Sequence, residues 1–243
     1  GGRATQFLCP RVSGPVRRAR PISGADFDFL RAATRHTPKL TMPSPPTMHF
    51  WADPGAVRAA GYADDDAFFA DLAAVYRAEI AELAARGARY LQIDEVPLAM
   101  LCDPVQRARV QQDGQHPDAL VERYVEVCNE ALRGRPAELV VGMHLCRGNF
   151  KGQWLAEGSY QYVAERMFRG IAVDAFFLEY DTPRAGDFAP LAAVPAPKAV
   201  VLGLVSSKLP QLEGRELLLR RIEEAARYVP LERLALSPQC GFA

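Results

Sequence analysis

The sequence lacks an excess of charge of either sign: its 243 residues hold 29 Lys and Arg against 29 Asp and Glu. This balance gives no reason to expect nucleic acid or an anionic membrane as a partner, so we expect small-molecule substrates and leave a homo-oligomer open. No stretch approaches the roughly 18 continuous apolar residues of a membrane span, and the first residues lack the pattern of a secretory signal. We therefore expect a cytoplasmic protein.

Cysteine is also scarce, with five residues scattered over the chain. A chain of this length can bury one large core and does not need disulfide staples, so we expect its thiols to be reduced. Reduced thiols are free to bind a metal. The five are Cys9, Cys102, Cys128, Cys146 and Cys240.

Short apolar runs alternate with longer segments of helical period from about Lys39 onward, a pattern typical of βα units around a parallel sheet. The predicted strands are 40–42, 90–94, 139–144, 175–179, 199–204 and 234–237, and the predicted helices are 26–33, 64–86, 117–133 and 213–228. The expected fold class is therefore α/β, and the chain length favours a TIM (β/α)8 barrel forming a single domain.

Six strands cannot close an eight-stranded barrel. We therefore expect residues 39–243 to supply strands three to eight, with two further strands and the last helix missing from the sequence. Residues 1–38 contain many arginines, prolines and glycines. We expect them to form an irregular N-terminal connection that belongs to the same barrel.

Side chains that can bind metals lie where three predicted strands end: His144 and Cys146, then Glu179, then Cys240. Barrel enzymes place their functional groups there because the βα loops converge at that end. His144 and Cys146 are two residues apart and project to the same side of an extended chain. An imidazole, two thiolates and a carboxylate suit Zn²⁺ better than Mg²⁺ or Ca²⁺. The alternative is that each cysteine is only a small buried apolar side chain.

Four segments resemble, in order and at strand ends, the C-terminal catalytic barrel of cobalamin-independent methionine synthase. They are Gln92-Ile93-Asp94-Glu95, His144-Leu145-Cys146-Arg147-Gly148-Asn149-Phe150, Phe177-Leu178-Glu179 and Ser237-Pro238-Gln239-Cys240-Gly241. The resemblance spans about residues 39–243. It implies a zinc-dependent methyltransferase in which His144, Cys146, Glu179 and Cys240 hold Zn²⁺ and homocysteine joins as a thiolate to give methionine.

The resemblance also implies roles for residues around the metal. Asp94 matches an aspartate that holds the amino group of homocysteine through a charge-assisted hydrogen bond, and the adjacent Glu95 is a weaker candidate for substrate binding. Trp51 lies where the family has a tryptophan that stacks on the pterin of methyl-tetrahydrofolate, the expected methyl donor. The alternatives are that Asp94 caps a helix and that Trp51 is simply packed.

Lys208 is the point at which the sequence departs from the family. The family has a histidine in this loop that is thought to assist proton delivery, whereas this chain has Ser206-Ser207-Lys208-Leu209-Pro210. Lysine has a much higher reference pKa than histidine, which puts that proton-donor role in doubt. Lys208 is kept as a catalytic candidate that can instead bind an anionic group, such as a folate glutamyl tail, a sulfonate or a carboxylate.

Three other functions are left open. Coenzyme M-alkylating relatives share the metal motif, so coenzyme M or another thiol can be the acceptor, with an epoxide or a methylated corrinoid as its partner. The metal can be purely structural, since four protein ligands close a structural zinc site and make the chain an inactive relative. A decarboxylase of the uroporphyrinogen type has the same barrel but needs no zinc, and the cysteine and histidine set disfavours it.

Overall fold

The computed structural model describes residues 11–52, 55–149 and 152–241. Within them, six strands form one parallel sheet in which each strand pairs with the next along the chain. The strands are β1 Lys39–Pro43, β2 Tyr90–Glu95, β3 Val140–Leu145, β4 Ala175–Glu179, β5 Ala199–Val205 and β6 Leu234–Pro238. This sequential parallel order is that of consecutive βα units in a TIM barrel, and it confirms the predicted fold class.

The strand register brings the carboxyl ends of the strands to one edge of the sheet. Asp94 on β2 pairs with His144 on β3, and Glu179 on β4 pairs with Gly203 on β5. Residues far apart in the sequence therefore become neighbours at this edge. The residues predicted as metal ligands, which lie at or just after the ends of β3, β4 and β6, all lie at this edge.

Of the α-helices in the described residues, the first precedes β1 and the others lie between strands. They are α1 Gly24–Ala33, α2 Thr47–Phe50, α3 Ala56–Ala59, α4 Asp65–Ala85, α5 Pro97–Met100, α6 Pro104–Gln112, α7 Pro117–Leu132, α8 Ala164–Gly170 and α9 Arg215–Ala225. The carboxylate of Asp64 caps α4 by accepting from the amide of Ala67 at 2.8 Å, and Pro117 begins α7 as predicted. The helix predicted over 213–228 is shorter, since it ends at Ala225.

The core lies between the sheet and the two long helices α4 and α7. Leu91, Ile93 and Glu95 on β2 are buried on that side, whereas Tyr90, Gln92 and Asp94 alternate with them and are half-buried on the other face. This alternation follows from the period of two along a strand. The face turned away from the helices, the inner face of the barrel, therefore carries Gln92 and Asp94, whereas Glu95 lies on the helix side.

Residues 11–38 are tied to α4 by the buried carboxylate of Glu79. It accepts from the guanidinium of Arg18 at 2.8 Å and from the backbone amides of Ile22 and Ser23 at 3.0 and 2.7 Å. Residues 1–10 of the predicted N-terminal connection, together with Cys9 and Phe150, lie outside the described residues. The division at residue 38 stays a prediction. No helix in the described part of the chain is long and apolar enough to cross a membrane.

Candidate metal centre

Three of the expected metal ligands converge at the carboxyl edge of the sheet. His144 is the penultimate residue of β3, Cys146 follows that strand, and Cys240 follows β6. One ligand atom from each lies within 4.8 Å of the others, and the two sulfur atoms are 3.7 Å apart. The structure therefore brings together one imidazole and two thiols from the ends of two strands, β3 and β6.

Backbone hydrogen bonds beyond the strand ends fix the two cysteines. The amide of Cys146 donates to the carbonyl of Glu95 at 3.3 Å, so the β2–β3 ladder continues past Leu145. The amide of Gln239, next to Cys240, donates to the carbonyl of Val205 at 2.8 Å. Both thiols are thus held by the sheet itself.

The two thiols differ in acidity because they share a hydrogen bond. The bond from the thiol of Cys146, followed by one from His144, lowers the pKa of Cys240 to about 4. The same bond to Cys240, together with burial, raises the pKa of Cys146 well above its usual value. Cys240 is therefore the more acidic of the two thiols, and the thiolate is the form that binds metals.

The geometry of this group fits zinc. Tetrahedral Zn²⁺ with Zn–S bonds of about 2.3 Å places two sulfur ligands about 3.8 Å apart. The separation of the Cys146 and Cys240 sulfurs is 3.7 Å, and the imidazole of His144 is within 4.8 Å of both. Soft thiolates with an imidazole are also the ligand types that zinc prefers to the alkaline-earth ions.

The structure does not bring Glu179 into this group of ligand atoms. Its carboxylate is fully buried and engaged elsewhere: Oε1 accepts from Arg184, and Oε2 accepts from Lys208 at 3.0 Å and Gln239 at 3.2 Å. The attraction of Lys208 and Arg184 outweighs burial, the largest single effect, and lowers the pKa of Glu179. Lys208, expected to bind an anionic group, binds this carboxylate with its own side chain 0 % exposed.

Asp94 and Glu95 point in opposite directions. Burial is the main cause of the raised pKa of Asp94, whose Oδ1 accepts from the amide of Gln92 at 2.7 Å, and the charge of His144 partly offsets it. Glu95 is fully buried on the helix side, where its Oε1 accepts from the amide of Leu98 at 2.8 Å. The structure therefore places Asp94 beside the candidate metal centre and Glu95 away from it.

Trp51 lines a cleft of about 800 Å³ near the same end of the sheet. Trp154 also lines this cleft, and the guanidinium of Arg184 lies 4.7 Å from the centre of the Trp154 ring. Since Arg184 also binds Glu179, a chain of contacts connects the cleft with the surroundings of the metal centre. Arg109 adds a cation to the cleft wall.

Sequence reasoning missed three residues that shape this site: Arg147, Arg184 and Gln239. Arg147 and Gln239 directly adjoin the cysteines, and Arg184 follows Glu179 by five positions. Their positions close to the predicted metal ligands were the only signal in the sequence that these residues belong to the site. Their partners lie on other loops, so the local pattern did not indicate the contacts.

Fold and site together define a TIM-barrel protein with a thiol-rich candidate metal centre at the carboxyl edge of its sheet. Residues 9–243 match the family described as cobalamin-independent synthase, catalytic domain, and the chain belongs to that family.

Relatives extend this relationship. The chain is 42 % identical over 237 residues to the uncharacterized protein YxjH of Bacillus subtilis, covering 96 % of this chain and 62 % of YxjH. It is 29 % identical over 222 residues to a methionine synthase of Pyrococcus abyssi, covering 91 % and 55 % of the two chains. The chain thus spans about three fifths of the length of these relatives.

A solved structure from Listeria monocytogenes, a putative vitamin-B12 independent methionine synthase, superposes with a TM-score of 0.73 at 33 % identity. The match covers 96 % of this chain and 67 % of that one. The six-stranded sheet described above is therefore the arrangement found in that family.

Proposed function

We propose that this chain is the catalytic barrel of a zinc-dependent methyltransferase that transfers a methyl group from methyl-tetrahydrofolate to the thiol of homocysteine, giving methionine. The observation that carries the proposal is the convergence of His144, Cys146 and Cys240, with ligand atoms within 4.8 Å of one another. Membership in the synthase family supports the same reaction class.

His144, Cys146 and Cys240 are the residues that would hold the metal. When bound there, zinc keeps a substrate thiol deprotonated near neutral pH and so supplies a nucleophile. The two protein thiolates, Cys146 and Cys240, would leave that nucleophile electron-rich. Transfer would form the S–CH3 bond and break the N–CH3 bond of the donor, whose nitrogen would take up one proton in place of the one that the thiol releases.

Asp94 would orient the acceptor. Its carboxylate lies on the inner face of the sheet, next to His144 in the strand register, and can bind the ammonium group of homocysteine by a charge-assisted hydrogen bond. The substrate sulfur would then lie towards the three metal ligands. Trp51 and the cleft that it shares with Trp154 would receive the flat pterin of the donor.

Two observations favour this function over the alternatives. A group of three protein ligands leaves a fourth position for a substrate, as in catalytic zinc sites, whereas structural sites are closed by four. Lys208 is fully buried and paired with Glu179, which makes it a poor receptor for the sulfonate of coenzyme M.

Metal analysis and an activity assay test the proposal. The purified protein should contain about one zinc per chain, and Cys240→Ser should lose both the metal and methyl transfer. Cys128→Ala is the matched control, because Cys128 is fully buried on α7, away from the sheet edge. Full zinc content and activity in Cys240→Ser would refute the assignment. An assay that crosses homocysteine and coenzyme M with methyl-tetrahydrofolate, methylcobalamin and an epoxide identifies the substrates.

A further inference from the structure

The carboxylate of Glu179 has all its acceptor positions filled by protein donors. Oε1 accepts from Nε of Arg184 at 3.0 Å and from its Nη2 at 2.5 Å, while Oε2 accepts from Nζ of Lys208 at 3.0 Å and from Nε2 of Gln239 at 3.2 Å. An ionised carboxylate offers about four lone-pair sites on its two oxygens. A metal bond to Glu179 therefore requires that one of these donors leave.

The donors have no alternative solvation if they leave. The side chains of Glu179 and Lys208 are 0 % exposed, and that of Arg184 is 6 % exposed. Separating either cation from the carboxylate would leave a buried charge without its partner, which is strongly unfavourable. The pairing thus opposes any movement of Glu179 towards the metal.

Further contacts hold the donors in place. Arg184 also donates to Asp181 at 2.6 Å, and the hydroxyl of Ser206 donates to the other oxygen of Asp181 at 2.7 Å. The same hydroxyl accepts from the backbone amide of Lys208 at 3.2 Å. These bonds join the loops after β4 and β5 into one buried network around Glu179.

We propose that Arg184, Lys208 and Gln239 form a carboxylate clamp that keeps Glu179 out of the metal's coordination sphere. The inference rests on the proposed function, because it concerns the zinc assigned there. His144, Cys146 and Cys240 are then the protein ligands supplied by the described residues, and the remaining position is open to the substrate thiol. Lys208 and Arg184 are positioning residues, since they act through Glu179.

The clamp has a consequence for thiol binding. If Glu179 were a zinc ligand, an incoming thiol would have to displace it, and removing the carboxylate would strengthen thiol binding. While Arg184, Lys208 and Gln239 hold Glu179, the thiol binds the metal without displacing a protein group. Removing Lys208 would free Oε2 to compete with the thiol.

Metal and thiol affinities of four variants test the clamp. Zinc affinity is measured by competition with a chromophoric chelator, and thiol affinity by the sulfur-to-metal charge-transfer band of the cobalt(II)-loaded protein titrated with 2-mercaptoethanol. This thiol has no amino group, so its binding does not depend on Asp94. The variants are Glu179→Gln, Lys208→Met, the double variant of both, and Lys39→Met.

Lys39→Met is the matched control because it removes a lysine from the same face of the sheet. Its Nζ binds the amide oxygen of Gln92 at 2.9 Å, not the Glu179 carboxylate. It should change neither affinity by more than about threefold, within the range of a distant surface charge.

Glu179→Gln should leave thiol affinity within about threefold and lower zinc affinity by no more than about tenfold, the lower limit for residues around a metal's ligands. Lys208→Met should strengthen zinc binding and weaken thiol binding by about tenfold each. The double variant should lose both effects, since they require the carboxylate. An electrostatic effect of the lysine alone would persist in the double variant and would overturn the proposal.

Two further results bear on the clamp even if Lys208→Met fails to fold. Thiol binding that tightens about tenfold in Glu179→Gln would show that the carboxylate is displaced, and would overturn the clamp. So would a crystal structure of the zinc-loaded protein with a Glu179 oxygen about 2.0–2.2 Å from the metal. A wild-type protein that takes up neither zinc nor cobalt refutes the proposed function, whereas a metal-loaded protein with Glu179 bound refutes only the clamp.

Discussion

The guanidinium of Arg147 lies 4.4 Å from the centre of the Tyr160 ring, deep in the protein. Arg147 directly follows Cys146 and is 0 % exposed, and its guanidinium nitrogens have no hydrogen-bond partner among the described residues. The hydroxyl of Tyr160 accepts from the backbone amide of Glu179 at 3.0 Å. One aromatic ring therefore connects the chain after β3 with the end of β4.

This contact predicts different costs for two substitutions of Tyr160. Tyr160→Phe keeps the ring over the guanidinium but loses both hydrogen bonds of the hydroxyl, which accepts from the backbone amide of Glu179 and donates to its carbonyl at 3.4 Å. It should therefore lower the free energy of unfolding by about 1–3 kcal/mol. Tyr160→Leu also loses the cation–π contact, which adds about 2 kcal/mol at a desolvated site. Denaturant unfolding measures both, with Tyr228→Phe, a half-exposed ring, as the control. Equal losses in the two variants would mean that the ring does not stabilise Arg147.

Glu95 predicts a pH dependence of stability. Burial raises its pKa to about 7, with smaller opposing effects from Ser44 and the amide of Leu98, against a usual value of 4.5. Because the folded-state pKa is the higher one, stability is fully present below about pH 4.5 and is lost as the pH rises towards 7. The loss is on the order of 3 kcal/mol.

Glu95→Gln removes this titration while it keeps an acceptor for the amide of Leu98. The difference in free energy of unfolding between the variant and the wild type should therefore shift in favour of the variant from pH 5 to pH 8, by about 3 kcal/mol at most. Urea unfolding at several pH values measures it. A difference independent of pH would show that Glu95 is already ionised in the folded protein. Separately, a large rise in the KM for homocysteine in Glu95→Gln would support the predicted contact of Glu95 with the substrate.

Asp94→Asn should weaken the binding of homocysteine but not that of thiols without an amino group. Loss of a charge-assisted hydrogen bond to the ammonium group costs about 1.5–3 kcal/mol, or about 10- to 100-fold in KM. Thiols without an amino group, such as 2-mercaptoethanol, should react as they do with the wild type. If both thiols are affected equally, Asp94 supports the metal centre through its neighbour His144 and does not recognise the amino group.

Trp51→Leu distinguishes stacking from packing. Stacking on a pterin predicts about tenfold weaker binding of methyl-tetrahydrofolate in this variant and a smaller effect in Trp51→Phe, which keeps an aromatic face. Ligand titration followed by fluorescence or calorimetry measures this. Trp51 also contacts Phe50, with ring centres 5.0 Å apart, so a packing role would lower thermal stability and leave donor affinity unchanged.

The sheet could be predicted from the sequence because the strands are short apolar runs and four of the six follow a helix that the sequence also predicts. The strand predicted over 90–94 lies at Tyr90–Glu95, and the helix predicted over 64–86 lies at Asp65–Ala85. Helix α6 was missed although Asp103 caps it and Pro104 begins it. It is strongly polar, so no apolar stripe marks it.

The candidate site was predictable to the extent that it follows from strand ends. His144, Cys146 and Cys240 meet because parallel strands deliver their carboxyl ends to one edge. The partners of Glu179 were not predictable in this way, since Arg184 and Lys208 reach it from two loops whose conformations depend on tertiary contacts. A ligand-type residue at a strand end therefore indicates a place, and its buried partners decide what its side chain binds.

The absence of a side chain at Gly203 lets β5 approach the chain after β6 closely, and this approach places Cys240. A Cβ at this position would lie 2.6 Å from Cα of Gln239 and 2.8 Å from the carbonyl oxygen of Leu178, which are both backbone atoms that cannot move aside alone. Gly203→Ala should therefore push Gln239 and the adjoining Cys240 away from the sheet. We expect a loss of about 1–3 kcal/mol in stability and weaker zinc binding.

Gly214→Ala is the control for this prediction. Its Cβ would meet nothing within 4 Å, and its φ of −69° is open to any residue, so stability and zinc affinity should stay near the wild-type values. Zinc affinity by chelator competition and unfolding by urea compare the two variants. If Gly203→Ala binds zinc as tightly as Gly214→Ala, the spacing between β5 and the chain after β6 does not set the position of Cys240, and the loop alone must hold its sulfur near Cys146.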